Sequence, residues 1–120
     1  MHLKDPMHSD NTLPFLAKVS ELYEHNLERQ RMSIDDLAAE MCMSRSQFTR
    51  RITASTGMSA SNYLNRLRME KAQRLLKDTE KPISTIAYEC GFDDTPYFCN
   101  LFKKLYKVTP MQYRIMPNTQ

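Results

Sequence analysis

The feature that most constrains this chain is a residue pattern that occurs twice. Leu37-Ala38 recurs as Ile86-Ala87 and Cys42-Met43 as Gly91-Phe92, at an offset of 49 residues. Phe48 then recurs as Phe98, Ile52 as Phe102 and Tyr63 as Tyr113, at an offset of 50. Matching apolar positions at two offsets that differ by one residue describe a duplicated structural unit with a single insertion in the second copy's turn.

Each copy reads as two short helices joined by a sharp bend. In the first, Ser33 is placed to cap a helix from Ile34 to Met41, with Asp36 three residues on to complete a reciprocal cap. Ser44 is placed to cap a second helix from Arg45 to Ser55, closed by Gly57 in the left-handed conformation. In the second copy a helix from Ile83 to Cys90 ends at Gly91. Asp94 then caps a helix from Thr95 to Tyr106, with Pro96 tolerated in its first turn. Ala38 and Ala87 are small where the two helices of each unit cross closely. Gly91 falls where the turn needs a positive φ, and Cys42 in the same place predicts a slightly strained turn. Phe48 with Ile52 and Phe98 with Phe102 are i, i+4 pairs that face the core.

The rest of the chain is also helical in pattern. Leu16, Val19, Leu22, Tyr23 and Leu27 form the apolar stripe of a first helix over Thr12 to Glu28. A long helix from Ala60 to Lys77 carries Tyr63, Leu64, Leu67, Ala72, Leu75 and Leu76 on one stripe and leaves Arg66, Lys71 and Arg74 to solvent. At 1.5 Å per residue it spans roughly 27 Å. Thr109-Pro110 opens a last short helix through Arg114. With two glycines and no tryptophan in 120 residues, a sheet with many tight turns is disfavoured. The expected fold is all-α: about seven helices, as two helix-turn-helix subdomains (33–57 and 83–106) joined by a linker helix (60–77). Residues 12–115 form the domain, with 1–11 a flexible tail and 116–120 a second tail.

Charge is unevenly distributed although its net value is only +3. Residues 1–43 carry four basic and eight acidic side chains, residues 44–74 seven and one, and residues 75–120 six and five. A basic block in the middle suggests a polyanionic partner, because each cation set on a phosphate releases condensed counterions; a solvated helix face is the alternative. Fixing the core faces of the second helix of each unit also fixes the outward faces. These are Arg45, Ser46, Thr49, Arg50 and Thr53 in the first copy, and Thr95, Pro96, Cys99, Asn100 and Lys103 in the second. Arg, Asn, Ser and Thr are side chains that read base edges or hold phosphates, and an α-helix fits the major groove. Polar residues also occur on any surface helix. A 27 Å linker helix laid along a duplex would hold the two outward strips about one turn apart, near the 34 Å spacing of successive grooves.

At this point the residues resemble the C-terminal DNA-binding domain of AraC/XylS-type transcriptional regulators, over about residues 13–115. The second copy carries the resemblance most specifically, from Ile83 to Lys104 (ISTIAYECGFDDTPYFCNLFKK) and in VTPMQYR from Val108 to Arg114. The first agrees through LAAEMCMSR, Thr56-Gly57, Tyr63-Leu64 and RMEKAQRLL. The resemblance implies base-edge contacts by Ser46, Thr49, Arg50 and Thr53, and by Thr95, Pro96, Cys99 and Asn100. Three positions depart from the family pattern: Lys107 stands where glycine is usual, Ala54 where lysine is common, and Asn100 where arginine is frequent. The family joins this domain to a sensory or phosphorelay portion, so the resemblance implies a piece of a larger regulator whose input portion is absent. The lead-in NTLPFLAKV resembles that of hybrid two-component regulators. The implied partners are double-stranded promoter or operator DNA and, in the full-length context, RNA polymerase. The amino terminus MHLKDPMHSD lacks the apolar stretch of a secretory signal, and no apolar run approaches the roughly 20 residues of a membrane helix, so a cytoplasmic location without membrane contact is expected.

Other functions find little support. His2, His8 and His25 lie far in sequence from any serine or cysteine in a nucleophile context, and there is no glycine-rich phosphate loop, so no catalytic residue or cofactor is expected. Cys42, Cys90 and Cys99 lack metal-ligand spacing and read as small apolar residues in a reducing compartment. Cys99, expected to face DNA, is either a small groove contact or a redox-sensitive group. A helical module that binds protein through surfaces rich in the nine methionines is the competing non-enzymatic reading.

Overall fold

The computed structural model describes residues 12–25 and 32–117. Seven helices are described: α1 (Thr12–His25), α2 (Ile34–Glu40), α3 (Arg45–Thr56), α4 (Ala60–Asp78), α5 (Ile83–Glu89), α6 (Thr95–Tyr106) and α7 (Pro110–Ile115). The tail expected over 1–11 and the last turn of the first helix, with Leu27 and Glu28, fall outside the described residues.

The chain forms two compact units that divide between Leu67 and Arg68, inside α4. In the first unit Phe15, Val19, Tyr23, Met32, Leu37, Ala38, Phe48 and Ile52 are buried together with Ala60, Leu64 and Leu67 of α4. In the second, Met69, Ala72 and Leu76 of α4 join Ile86, Ala87, Cys90, Phe92, Phe98 and Phe102. One helix therefore closes the first core and opens the second. The aromatic core of the second unit is continuous: Phe102 lies 6.0 Å from Phe98, 4.7 Å from Tyr106 and 5.6 Å from Tyr113, ring centre to ring centre.

The duplication holds at the level of single hydrogen bonds. At the end of α2, Met43 N donates to Ala38 O (2.9 Å) and Cys42 N to Ala39 O (3.0 Å). At the end of α5, Phe92 N donates to Ala87 O and Gly91 N to Tyr88 O, both at 2.9 Å. This nested pair requires a left-handed residue between helix and turn, which is Cys42 (φ 61°) in one copy and Gly91 (φ 98°) in the other. The strain expected at Cys42 is thus present in the backbone. α2 and α5 end at Glu40 and Glu89, one residue earlier than their patterns suggested, because Met41 and Cys90 already serve as caps. Residues 41–44 form the first turn and 90–94 the second, so the inserted residue lies in the turn.

The correspondence continues beyond the second helices. α3 ends in left-handed Gly57, whose N–H donates to Thr53 O, and α6 ends in left-handed Lys107, whose N–H donates to Lys103 O. Lysine instead of glycine does not abolish this turn; it places a second non-glycine residue at positive φ. Ser59 Oγ accepts from Asn62 N as α4 begins, and Thr109 Oγ1 accepts from Gln112 N as α7 begins. α7 therefore repeats the first turns of α4 and stops at Ile115, with Arg114 securing the end of α4 through Nε to Leu76 O (3.1 Å) and Nη2 to Thr79 O (3.3 Å).

Candidate nucleic-acid interface

α3 begins where Ser44 and Gln47 form a reciprocal cap, Ser44 Oγ accepting from Gln47 N (3.1 Å) and Gln47 Oε1 from Ser44 N (3.0 Å). The cap fixes the helix phase, and burial of Phe48 and Ile52 fixes its rotation. Ser46, Thr49, Arg50 and Thr53 then share a face at i, i+3, i+4 and i+7. Ser46, Arg50 and Thr53 are exposed, Thr49 is half-buried, and Arg45 is exposed one residue before the strip. Within the strip Arg50 Nη1 donates to Ser46 Oγ at 3.0 Å. The hydroxyl thus holds one edge of the guanidinium and leaves other donors of its fork outward.

α6 is built the same way with different chemistry. Asp94 Oδ1 accepts from Tyr97 N (3.1 Å), Phe98 and Phe102 are buried, and Pro96, Cys99, Asn100 and Lys103 recur at the same i, i+3, i+4 and i+7 steps. Pro96, Asn100 and Lys103 are exposed, while Thr95 and Cys99 are half-buried. Burial pushes the Cys99 thiol above its ordinary range, so near neutral pH it presents a neutral S–H. Two groups next to these strips were not foreseen. Tyr97, 52% exposed, sits on the first turn of α6 with its ring 6.2 Å from that of Phe92. Asp35 of α2 pairs with Arg45, Oδ1 to Nη1 at 3.0 Å. An exposed tyrosine before an apolar pair was visible in the sequence; the ion pair, spanning ten residues and a turn, was not.

The basic block is less available than its sequence suggests. Arg51 stacks over the Phe15 ring, with its guanidinium carbon 4.4 Å from the centroid, and Arg68 lies over Phe92 at 5.8 Å. Lys71, expected to reach solvent, donates Nζ to Glu89 O (3.3 Å) and is half-buried. Arg45, Arg50, Arg66 and Arg74 remain as exposed cations of the block. A cation over an aromatic face keeps its charge, but its guanidinium is engaged in packing and is less free to reach a phosphate. Among the described residues, no cluster of three or more His, Cys, Asp or Glu side chains could hold a metal ion, and no helix is long and apolar enough to cross a membrane.

Two bihelical units, each exposing the outer face of its second helix, define a double helix-turn-helix domain. Residues 37–116 match the family model described as a helix-turn-helix domain. The chain is 38% identical over 92 residues to the HTH-type transcriptional activator RhaS of Mannheimia succiniciproducens, an alignment covering 77% of this chain and 34% of that protein. Among solved structures it is similar to a Chromobacterium violaceum transcriptional regulator with an AraC-type DNA-binding domain (32% identity, TM-score 0.76, 90% of this chain and 98% of that one). It is also similar to the DNA-binding domain of AdpA, a global transcriptional factor, in complex with a target DNA (27% identity, TM-score 0.67, 92% and 91%). The chain belongs to the AraC/XylS-type helix-turn-helix family. It spans about a third of the length of the curated relative. That relative is a transcriptional activator, not an enzyme.

Proposed function

We propose that this domain binds double-stranded DNA sequence-specifically in transcriptional regulation, with α3 and α6 each entering a major-groove segment. The observation that carries this reading is the pair of outward polar strips at equivalent positions of a duplicated scaffold, each fixed in rotation by two buried apolar residues. Arg45, Ser46, Thr49, Arg50 and Thr53 form one contact surface, and Thr95, Pro96, Cys99, Asn100 and Lys103 the other. The cognate AdpA complex supports DNA as the partner. The contribution of the two strips is unequal. Arg50 offers a fork that pairs bidentately with guanine, whereas the equivalent Asn100 suits adenine and carries no charge.

Signal input from a sensory or phosphorelay portion, contact with RNA polymerase in the full-length context, and a cytoplasmic location belong to the same proposal. Selection from a random duplex library is the decisive experiment. Enrichment of a site with two conserved segments about one helical turn apart, bound with a steep loss of affinity as salt rises, is the expected result. Failure to enrich any sequence, together with salt-independent binding, would favour a protein-binding module.

A further inference from the structure

If α3 contacts DNA as proposed above, one acidic residue of α2 governs how the leading arginine of α3 is used. Arg45 Nη1 donates to Asp35 Oδ1 at 3.0 Å, and the two side chains are 58% and 69% exposed. Neither the turn nor the helix caps explain this pair. Asp35 is not the capping residue of α2, since Asp36 Oδ2 accepts from Ser33 N and completes that cap. The left-handed turn does not need it either. At the equivalent positions of the second unit stand Ser84 and Thr95, and the same nested backbone hydrogen bonds form there between Ala87, Tyr88, Gly91 and Phe92. An exposed ion pair also adds little to stability. The duplicated scaffold thus serves as an internal reference, and the charged pair is an addition to it, made only beside the α3 strip.

We infer that Asp35 acts as a built-in counterion for Arg45, holding the guanidinium in the free protein and yielding it to a DNA phosphate on binding. Carboxylate and phosphate present the same kind of acceptor to the guanidinium fork, so one can replace the other without rebuilding the donor. Association then exchanges one ion pair for another, and a negative charge stays beside the phosphate. Arg45 consequently adds less affinity than an unpaired arginine would, and this moderates the grip of the first unit on any sequence. Asp35 is a positioning residue: it acts on DNA through Arg45.

The test uses the full chain, a duplex obtained by library selection, and four proteins: wild type, Asp35→Asn, Arg45→Ala and the double variant. Their Kd values are measured over a range of KCl, with melting temperatures recorded in parallel. Asp35→Asn is expected to tighten binding about two- to five-fold at low salt and to steepen the log Kd against log salt slope by up to about 0.9. Its melting temperature should fall by no more than a few degrees, since Asp35 also lies in the first turn of α2, and the gain should shrink markedly in the Arg45→Ala background. An equal gain in both backgrounds would make Asp35 a simple repulsive charge and overturn the inference. Unchanged or weakened binding by Asp35→Asn would overturn it as well, while leaving the DNA-binding reading intact. A wild-type chain that binds no duplex would instead remove that reading, and this inference with it.

Discussion

Replacing the left-handed residue of each turn, Gly91 by alanine and Cys42 by glycine, should change stability in opposite directions. Gly91 has φ 98°, and a Cβ built there would lie 2.9 Å from Arg68 Nε and 3.4 Å from its Cδ. In Gly91→Ala, left-handed strain costs about 1–2 kcal/mol, and the smaller entropy of the unfolded alanine chain offsets about 0.4–1 kcal/mol of that. Displacing Arg68 from its position 5.8 Å above Phe92 forfeits about 0.5–1 kcal/mol more. The net loss is about 1–2 kcal/mol, corresponding to a fall in melting temperature of roughly 3–10 °C for a chain of this size. Cys42→Gly relieves strain of the same kind at φ 61°, and because Cys42 is exposed little packing is lost. After the entropic penalty of glycine it should gain about 0.5 kcal/mol. Urea denaturation followed by far-UV circular dichroism measures both, and repeating Gly91→Ala in an Arg68→Ala background separates strain from collision. Equal losses in the two backgrounds would refute the steric part. A Gly91→Ala protein as stable as wild type would refute the whole argument.

Further outcomes are expected at three residues. Arg50→Ala should weaken binding at the selected site by about 1–3 kcal/mol and relax preference at one base position; uniform weakening across sequences would make Arg50 a phosphate anchor. Ser46→Ala, which removes the hydroxyl that holds Arg50, should give a smaller loss with the same base-position signature in a competition assay. Burial pushes the Cys90 thiol up to about 12, so below pH 9 it should resist maleimide until the protein is denatured, as mass spectrometry would show. The folded state then holds this proton more tightly than the unfolded chain. Cys90 therefore contributes stability that is fully present below about pH 9 and is lost as pH rises toward 12, and Cys90→Ala should flatten that decline in denaturation measured from pH 8 to 11.

The duplication made most of this architecture legible, because each inward pair, Phe48 with Ile52 and Phe98 with Phe102, fixes a helix rotation and therefore an outward strip. Single-helix periodicity is the wrong template for a helix that serves two cores. On α4 burial runs through Ala60, Leu64 and Leu67 and then steps by two to Met69, Ala72 and Leu76. A pattern that seeks one stripe per helix overlooks Met69, since the stripe changes phase where one core ends and the other begins. Periodicity does not separate Phe15 from Leu16, because neighbouring positions at the edge of an apolar stripe are nearly equivalent in sequence, and the packing of Phe15 against Phe48 and Arg51 decides between them. The diversion of Arg51 and Arg68 to aromatic faces and of Arg45 to Asp35 depends on partners ten or more residues away, which a count of charges cannot register.

The boundary between the two cores falls within α4 and not in a loop, and this limits how the domain can be taken apart. A cut after Leu67 would sever a continuous backbone ladder, leaving up to four carbonyls on one piece and four amides on the other without intrahelical acceptors or donors. Each piece would keep a complete bihelical motif yet end in a fraying half-helix that supplies three of its own buried side chains. Proteases seeking an interdomain linker should therefore find no easy site there.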